Sequence, residues 1–327
     1  MAEQVDIVVL GAGMCGLGAA ASLAEKGRGV VVLEKSRGVG GRLAGRRFAG
    51  AAFDMGPQYI TGRGLAFSAR VQAWRSQGRL VPWFHGGPAR EDGDLMVWTG
   101  LPAMTALAKD MAQGLDVRLE HKAQALRPTG LGWTVEVEGR EAFLARAVVC
   151  TAPLPQSLAL LDAGGVSLDA PVRGRLEAVR YASCLVVMAR LAGPSQVPPP
   201  GLVEPVEGPL LRVVDNVQKG LSASPAVTLQ ATPEFSAAWL DGNRHEAARL
   251  MLEAARPLLG TEVLEWQLHA WRHSQPENPL HDLHVEPSTC PPLLLAGDAF
   301  AGARVEDALR SGIATARRLD EVLDLAP

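Results

Sequence analysis

The first part of the chain combines the two patterns of apolar residues that distinguish buried strands from helices. Residues 5–10 and 30–33 are short, continuous apolar runs, as expected for parallel strands that are buried on both faces. Between them, residues 14–26 have the composition of a helix, with small residues on the packing face, and Gly27 follows as a stop signal. The pattern predicts a strand, a turn, a helix and a second strand, the opening of a doubly wound α/β sheet.

The rest of the chain predicts further helices and strands. Helical spacing of apolar residues predicts helices at 102–113, 242–259 and 306–323. Alternating or continuous apolar runs predict strands at 117–120, 133–137, 142–145, 147–150, 184–191, 226–230 and 292–296. The two ends of the chain are therefore expected to form one discontinuous, Rossmann-like domain, at 1–62, 95–155 and 289–327. A mixed α+β substrate domain is expected to be inserted into it, at 63–94 and 156–288.

Charge and cysteine content exclude several classes of partner. The net charge is −3, from 32 basic and 35 acidic residues, which gives no electrostatic case for binding nucleic acid or an anionic membrane. The four cysteines lie far apart without a C-x-x-C pair, which favours free thiols in a reducing cytosol. Residues 7–24 carry no charge, but four glycines interrupt the run, so a membrane span is not expected. The sequence predicts a soluble, cytoplasmic protein.

A glycine-rich turn joins the first predicted strand to the first predicted helix. Gly11, Gly13 and Gly16 have the G-x-G-x-x-G spacing of a dinucleotide-binding turn. The first glycine allows the tight turn, the second lets the backbone approach a pyrophosphate, and the third lets the helix pack closely on the sheet. Met14 and Cys15 open the helix, where free N–H groups and the helix dipole attract phosphate charge. The turn therefore predicts a pyrophosphate-binding site.

An acidic residue and a second glycine pair follow the second predicted strand. Glu34 ends that strand, where a carboxylate accepts hydrogen bonds from the hydroxyls of an adenosine ribose and repels a 2′-phosphate. Lys35 then begins a loop, expected over residues 36–47, that contains Gly40, Gly41 and Arg42. A plain NAD-dependent dehydrogenase would leave this loop without a role. The loop instead favours an extended, deeply buried dinucleotide.

The end of the chain supplies a third piece of the same pattern. Gly297 and Asp298 follow the last predicted strand, and Val305 and Glu306 open the last helix. Together the three pieces resemble the FAD-binding pattern of the amine-oxidase and glutathione-reductase-like flavoproteins. The resemblance implies non-covalent FAD, with Asp298 at the ribitol–pyrophosphate region and the Gly-Gly-Arg loop at the pyrophosphate. The dipole of a helix that begins beside the flavin would stabilise the negative charge of the reduced ring.

Further motifs resemble the renalase family, especially its small bacterial members. They are FDMGPQYIT at 53–61, GLPAM at 100–104, APLPQ at 152–156, Trp271, and the segment 297–312. The resemblance implies a p-hydroxybenzoate-hydroxylase-like fold and the oxidation of NAD(P) species that are reduced at the 2- or 6-position. The hydride would pass to flavin N5, and O2 would reoxidise the flavin to give hydrogen peroxide.

The same resemblance assigns residues to the two sides of the site. Those expected to line the substrate pocket are Tyr59, Thr61, Trp271 and His273. Those expected to border the cofactor are Gly56, Pro57 and Gln58. Tyr59 and Trp271 could equally be core residues. Renalases differ from this chain near Ala299, at Leu309 and at His273, positions expected to line the pocket, so the substrate stays open. The alternatives are a small amine-oxidase- or desaturase-like flavoprotein, and a non-catalytic FAD-binding redox sensor.

Polar residues outside these motifs are expected at the surface. Asn216 and Lys219 fall in a turn where they could meet an amide or a phosphate, although we expect the turn to be solvated. His245 lies on or just before a predicted helix, where we expect a surface role and not a catalytic one. His281 and His284 are close in the sequence, but no third ligand has convincing spacing, so a metal site is not expected.

Overall fold

The computed structural model describes residues 2–62, 64–86, 95–130 and 132–325, and the chain forms two compact units. The first unit consists of Met1–Gly41, Ala108–Arg180 and Pro276–Pro327, and the second consists of Arg42–Leu107 and Tyr181–Gln275. The strands, in chain order, are β1 (Glu3–Leu10), β2 (Val30–Leu33), β3 (Gly45–Phe48), β4 (Ala51–Asp54), β5 (Leu80–His85), β6 (Met96–Gly100), β7 (Asp116–Arg118), β8 (Ala123–Thr129), β9 (Gly132–Val137), β10 (Phe143–Cys150), β11 (Tyr181–Leu191), β12 (Leu202–Val203), β13 (Leu210–Asp215), β14 (Ala226–Ala231), β15 (Val263–Pro276), β16 (Val285–Thr289) and β17 (Pro292–Leu295). The helices are α1 (Met14–Ala24), α2 (Leu65–Ser76), α3 (Thr105–Met111), α4 (Leu154–Ala163), α5 (Ala170–Glu177), α6 (Pro233–Trp239), α7 (Arg244–Leu259) and α8 (Val305–Leu325).

A largely parallel sheet forms the centre of the first unit. Its strand order is β16–β17–β10–β1–β2–β7, and all neighbours from β17 to β7 pair in parallel. The antiparallel β16 closes one edge, and the β8–β9 hairpin pairs with the start of β10. The chain leaves β1 toward β2 on one side, whereas β10 lies on the other side. The carboxyl ends of β1 and β10 therefore mark the topological switch point, where α/β sheets bind ligands.

Helices α1 and α8 of this unit approach each other through glycines. A methyl group on Gly18 would lie 2.6 Å from Leu309 Cδ1, and one on Gly312 would lie 2.1 Å from the Cys15 carbonyl oxygen. Leu309 and Ala299 are both buried. The Leu309 side chain thus packs against Gly18 of α1, and its expected place in the pocket stays a prediction.

The second unit is built on a sheet in the order β12–β13–β14–β11–β15. One face packs on α7 through a core that includes Leu185, Val187 and Met251. The opposite face packs on the β3–β4 hairpin, where Phe53 contributes to a separate apolar cluster. The hairpin therefore places the end of β4, and the residues after it, against the sheet.

The fold class predicted from the sequence is confirmed, and most predicted elements are present. The runs 142–145 and 147–150 form a single strand, β10, in which only Arg146 is exposed. The helix predicted at 102–113 begins later, at Thr105, and the loop expected at 36–47 contains a short 3-10 helix and strand β3. No helix among the described residues combines the length and apolarity that crossing a bilayer requires.

The boundaries of the two compact units differ from those of the predicted domains. The β3–β4 hairpin belongs to the second unit, because Phe53 and Met55 pack with Val186 and Met188 of β11. Helices α4 and α5 belong to the first unit. The end of α4 lies on β8 so closely that a methyl group on Gly164 would approach the Leu126 carbonyl oxygen to 1.7 Å.

Candidate functional site

The glycine-rich turn connects β1 to α1 in a backbone conformation that requires glycine. Gly11 has a φ of +105°, and its N–H donates to the Leu33 carbonyl oxygen at 2.8 Å. A methyl group on Gly16 would lie 1.9 Å from the Gly11 carbonyl oxygen. A methyl group on Gly13, in contrast, would meet no atom within 4 Å. The first and third glycines therefore serve the fold, and the second faces open space.

This open space lies at the N-terminus of α1. Gly13 is the N-cap and has no side chain to offer to the N–H groups of Met14, Cys15 and Gly16. The Gly-Gly loop lies against the same turn, because the Gly40 N–H donates to the Ala12 carbonyl oxygen at 2.7 Å. A helix N-terminus with its dipole and the open space at Gly13 together fit the pyrophosphate of a dinucleotide.

Glu34 ties the turn to the end of β2. Its side chain is buried, with Oε2 accepting from the Ala12 N–H at 2.9 Å and Oε1 accepting from the Ser36 N–H at 2.8 Å. Each carboxylate oxygen keeps a second lone pair that a ribose hydroxyl can use. The neighbouring Lys35 points away, and its ammonium donates to Gln156 Oε1 at 2.9 Å. Glu34 thus has a structural role in addition to the predicted contact with ribose.

Replacing Glu34 with alanine is expected to lower both the thermal stability of the apoprotein and its affinity for FAD. The substitution removes the acceptor of two backbone N–H groups, and a hydrogen bond to a charged group contributes ~1.5–3 kcal/mol. Thermal unfolding and titration of the apoprotein with FAD measure the two effects. Glu138→Ala, which removes an exposed glutamate, is the control. Unchanged values in Glu34→Ala would contradict the assignment.

The chain returns to the glycine turn after β17. Gly297 has a φ of +134°, and its N–H donates to Ser311 Oγ at 3.0 Å. The same hydroxyl lies 3.8 Å from the sulfur of Cys15 and donates to the Leu283 carbonyl oxygen at 2.6 Å. Asp298 is buried next to this contact. Ser311 therefore joins the Gly297-Asp298 turn to the start of α1, a role that the sequence did not reveal.

Two further features belong to the cofactor side of the first unit. Thr151 follows β10, and its hydroxyl donates to the Leu10 carbonyl oxygen at 2.8 Å, which fixes the switch point. Helix α8 begins at Val305, with Glu306 and Asp307 in its first turn, and Asp307 accepts from the Arg304 N–H at 3.2 Å. The first unit thus brings the glycine turn, Glu34 and the Gly297-Asp298 turn to the carboxyl ends of β1, β2 and β17, whereas the Lys35 side chain points away.

In the second unit, the residues after β4 form a tightly held segment. A methyl group on Gly56 would lie 1.9 Å from the Arg42 carbonyl oxygen, so the two backbones touch. The Arg42 guanidinium donates to the carbonyl oxygens of His273 and Ser274, both at 3.2 Å. Trp271 Nε1 donates to the Met55 carbonyl oxygen at 3.1 Å. The structure therefore brings Arg42, the Gly56 backbone and the end of β15 together, and the predicted contact of Arg42 with a pyrophosphate stays a prediction.

The predicted pocket residues lie in different surroundings. The Trp271 ring meets His269 edge to face, with centroids 4.2 Å apart, and His273 meets Tyr181 in the same way at 5.4 Å. The Arg212 guanidinium lies 6.0 Å from the centre of the Tyr59 ring. Thr61 and Pro57 are half-buried.

A buried ion pair lies under this segment. Lys219 Nζ donates to Asp54 Oδ2 at 2.8 Å and to Gln58 Oε1 at 3.0 Å, and the exposed fractions of the Lys219 and Asp54 side chains are 0% and 1%. Burial lowers the pKa of the Lys219 ammonium, and Asp54 opposes that shift. The expectation of a solvated turn at Asn216 and Lys219 is wrong. Both residues are buried, because the turn is covered by the segment after β4.

Comparison with known proteins agrees with the class that this site defines, a flavoprotein oxidoreductase with FAD as its cofactor. Residues 88–320 match the family model for flavin-containing amine oxidoreductases, and residues 9–72 match an NAD(P)-binding Rossmann-like domain. The chain belongs to the flavin-containing amine oxidoreductase family.

Individual relatives resemble the chain in fold or in one segment. A triple mutant of putrescine oxidase superposes with a TM-score of 0.74 at 15% identity, covering 98% of this chain and 100% of the other. A protein from Exiguobacterium sp. 255-15, provisionally named protoporphyrinogen oxidase, superposes with a TM-score of 0.70 at 13% identity, covering 99% of both chains. A 4,4'-diapophytoene desaturase of Staphylococcus haemolyticus is 50% identical over 56 residues, which is 17% of this chain and only 11% of the desaturase. At these identities the solved structures establish the fold alone.

Proposed function

We propose that this protein is an oxidase that takes a hydride from a dihydronicotinamide dinucleotide reduced at the 2- or 6-position. The overall reaction is NAD(P)H + H⁺ + O2 → NAD(P)⁺ + H2O2. FAD, when bound, supplies the chemistry by accepting the hydride and passing the electron pair to O2. The chain itself has to bind the substrate, orient it and shield it from water.

The aromatic surface at Trp271 is the observation that carries this proposal. The Trp271 ring meets the His269 imidazole edge to face, with centroids 4.2 Å apart, and burial and the cations Arg46 and Arg244 lower the pKa of that imidazole. An indole ring held in this way fits the flat ring of a dihydronicotinamide. Hydride transfer from a dihydronicotinamide also needs no strong base, because the ring nitrogen supplies the electrons.

The backbone contacts of this region support an orienting role. Trp271 is fixed at one end by its hydrogen bond to Met55, and Arg42 is fixed by the carbonyl oxygens of β15. Side chains held in this way lose little entropy when a substrate stacks on them. The second unit therefore presents a rigid aromatic surface.

An anaerobic absorption spectrum tests the proposal. The FAD-loaded protein is mixed with borohydride-reduced NAD, which contains the 2-, 4- and 6-dihydro isomers, and in parallel with pure 4-dihydro NADH. We expect the visible flavin band to bleach with the mixture only, and H2O2 to form once air is admitted. Bleaching by pure 4-dihydro NADH, or no bleaching in either sample, would refute the proposal.

Amine oxidation is the second candidate, and family membership favours it. The matched family is that of the flavin-containing amine oxidoreductases, and putrescine oxidase shares the fold. Putrescine is therefore the third compound in the same experiment. Bleaching by the amine and not by the dihydro isomers would move the assignment to amine oxidation.

Replacing Trp271 with alanine is expected to slow flavin reduction by about tenfold to a hundredfold while the FAD content stays unchanged, because the substrate loses its orienting surface. Stopped-flow reduction and the ratio of flavin to protein absorbance measure the two quantities. Trp266→Ala is the matched control, because Trp266 lies on the same strand but packs with the core on the other face of the sheet. Equal rates of flavin reduction in the two variants would show that Trp271 has a purely structural role.

A further inference from the structure

The buried ion pair of the second unit brings together four separate parts of the chain. Asp54 ends β4, Lys219 lies in the connection between β13 and β14, and Asp54 Oδ1 accepts from the Met104 N–H, just before α3, at 3.0 Å. The Lys219 ammonium also lies 5.5 Å from the centre of the Trp83 ring on β5. Every polar atom of the pair therefore has a fixed neighbour, although the two charges are shielded from water.

The position of Lys219 is itself set by its own turn. Asp215 Oδ1 accepts from the Val217 and Gln218 N–H groups at 2.8 and 2.9 Å, and the Lys219 N–H donates to the Asp215 carbonyl oxygen at 3.0 Å. Such an aspartate turn fixes the backbone of the residues that follow it. The backbone that carries the Lys219 side chain is therefore held in one conformation.

Lys219 determines the orientation of the Gln58 amide. An ammonium group only donates hydrogen bonds, so it selects the oxygen of Gln58 and leaves the amide nitrogen to point the other way. That nitrogen donates to the carbonyl oxygens of Asp54 and Gly56, both at 2.9 Å. The amide thus closes the backbone of residues 54–58 into a fixed turn.

We propose that Lys219 is a positioning residue of the flavin site, acting through Gln58 and Asp54 to hold the backbone of Gly56–Tyr59 in place. The sheet also holds this segment, because Gln230 Nε2 donates to the Gly56 carbonyl oxygen at 2.8 Å. The segment is therefore held both by the ion pair and by the sheet. The consequence for catalysis rests on the proposed function, because it requires that this segment borders the reacting groups.

Hydrogen–deuterium exchange of the full-length protein tests the inference without any substrate. The variant is Asp54→Asn with Lys219→Met, which removes both charges together and keeps an amide oxygen at position 54 to accept from the Met104 N–H. A matched control, Glu138→Gln with Lys122→Met, removes an exposed ion pair of similar length, 2.9 Å. We expect amides of residues 55–60 to exchange about tenfold to a hundredfold faster in the first variant, as after loss of a charge-assisted hydrogen bond. Peptides from β1, and all peptides of the control variant, should keep the parent rates.

A double-mutant cycle distinguishes a specific effect of Lys219 on residues 55–60 from a general loss of stability in the second unit. Gln58→Met should speed exchange in the parent and add little in the Asp54→Asn, Lys219→Met background, because Lys219 acts through that amide. In the FAD-loaded protein, the same variants should shift the visible flavin band, whereas the exposed control pair should not. Parent-like exchange in residues 55–60, equal acceleration throughout the second unit, or additive effects would each overturn the inference. Faster local exchange in a protein that no dihydronicotinamide reduces would overturn only the proposed function.

Discussion

Replacing Gly16 with alanine is expected to abolish FAD binding and to lower the unfolding temperature of the apoprotein. The new methyl group would lie 1.9 Å from the Gly11 carbonyl oxygen and 2.9 Å from Thr151 Oγ1. Neither neighbour can retreat without breaking a hydrogen bond, since Gly11 N–H binds Leu33 and the Thr151 hydroxyl binds Leu10. The start of α1 would therefore have to move away from β1, together with the N–H groups that we expect to bind the pyrophosphate.

Gly13→Ala is the matched control, because the same methyl group there would meet no protein atom within 4 Å. We expect the apoprotein to keep its unfolding temperature within a few degrees while its FAD affinity falls by about a hundredfold, or ~2.7 kcal/mol. Titration of each apoprotein with FAD and thermal unfolding without it provide the comparison. Loss of apoprotein stability in Gly13→Ala, or normal FAD uptake in Gly16→Ala, would contradict the assignment of the two glycines.

The first unit could be predicted in some detail because its signals are local. The strand, the glycine turn, the helix and Glu34 lie within a short stretch, and each residue type is required by the geometry of its own position. Gly11 is an example. Its φ of +105° favours glycine, and the G-x-G-x-x-G spacing alone predicts a tight turn at this position. Hydrogen bonds that close the site from distant parts of the chain, such as those of Ser311 and Thr151, left no comparable pattern.

The second unit was harder to predict because its polar core depends on long-range contacts. Lys219 is separated from Asp54 by 165 residues, and lysine is almost never fully buried without a partner. A solvated turn was therefore the natural expectation from the sequence. The Asp-Met-Gly-Pro-Gln motif was visible, but nothing in the sequence indicated which residue would neutralise its aspartate.

Replacing Lys219 with methionine, without a change at Asp54, is expected to destabilise the protein by ~3–5 kcal/mol. Methionine fills a similar volume but leaves the Asp54 carboxylate buried without its cation, and the Gln58 oxygen without its donor. A loss of that size is a large part of the ~5–15 kcal/mol that stabilises a typical domain. Denaturant unfolding of the second unit, followed by tryptophan fluorescence, measures the change.

Two comparisons show whether the loss comes from the uncompensated charge. Adding Asp54→Asn should recover most of the stability, because replacing both members of a buried pair is close to neutral whereas removing one is not. Lys122→Met, which breaks the exposed pair with Glu138, should cost at most ~1 kcal/mol. If Lys219→Met were as stable as Lys122→Met, the ion pair would contribute little to the fold. Failure of Asp54→Asn to restore stability would instead assign the loss to the Gln58 contact, since that is the other hydrogen bond of the ammonium.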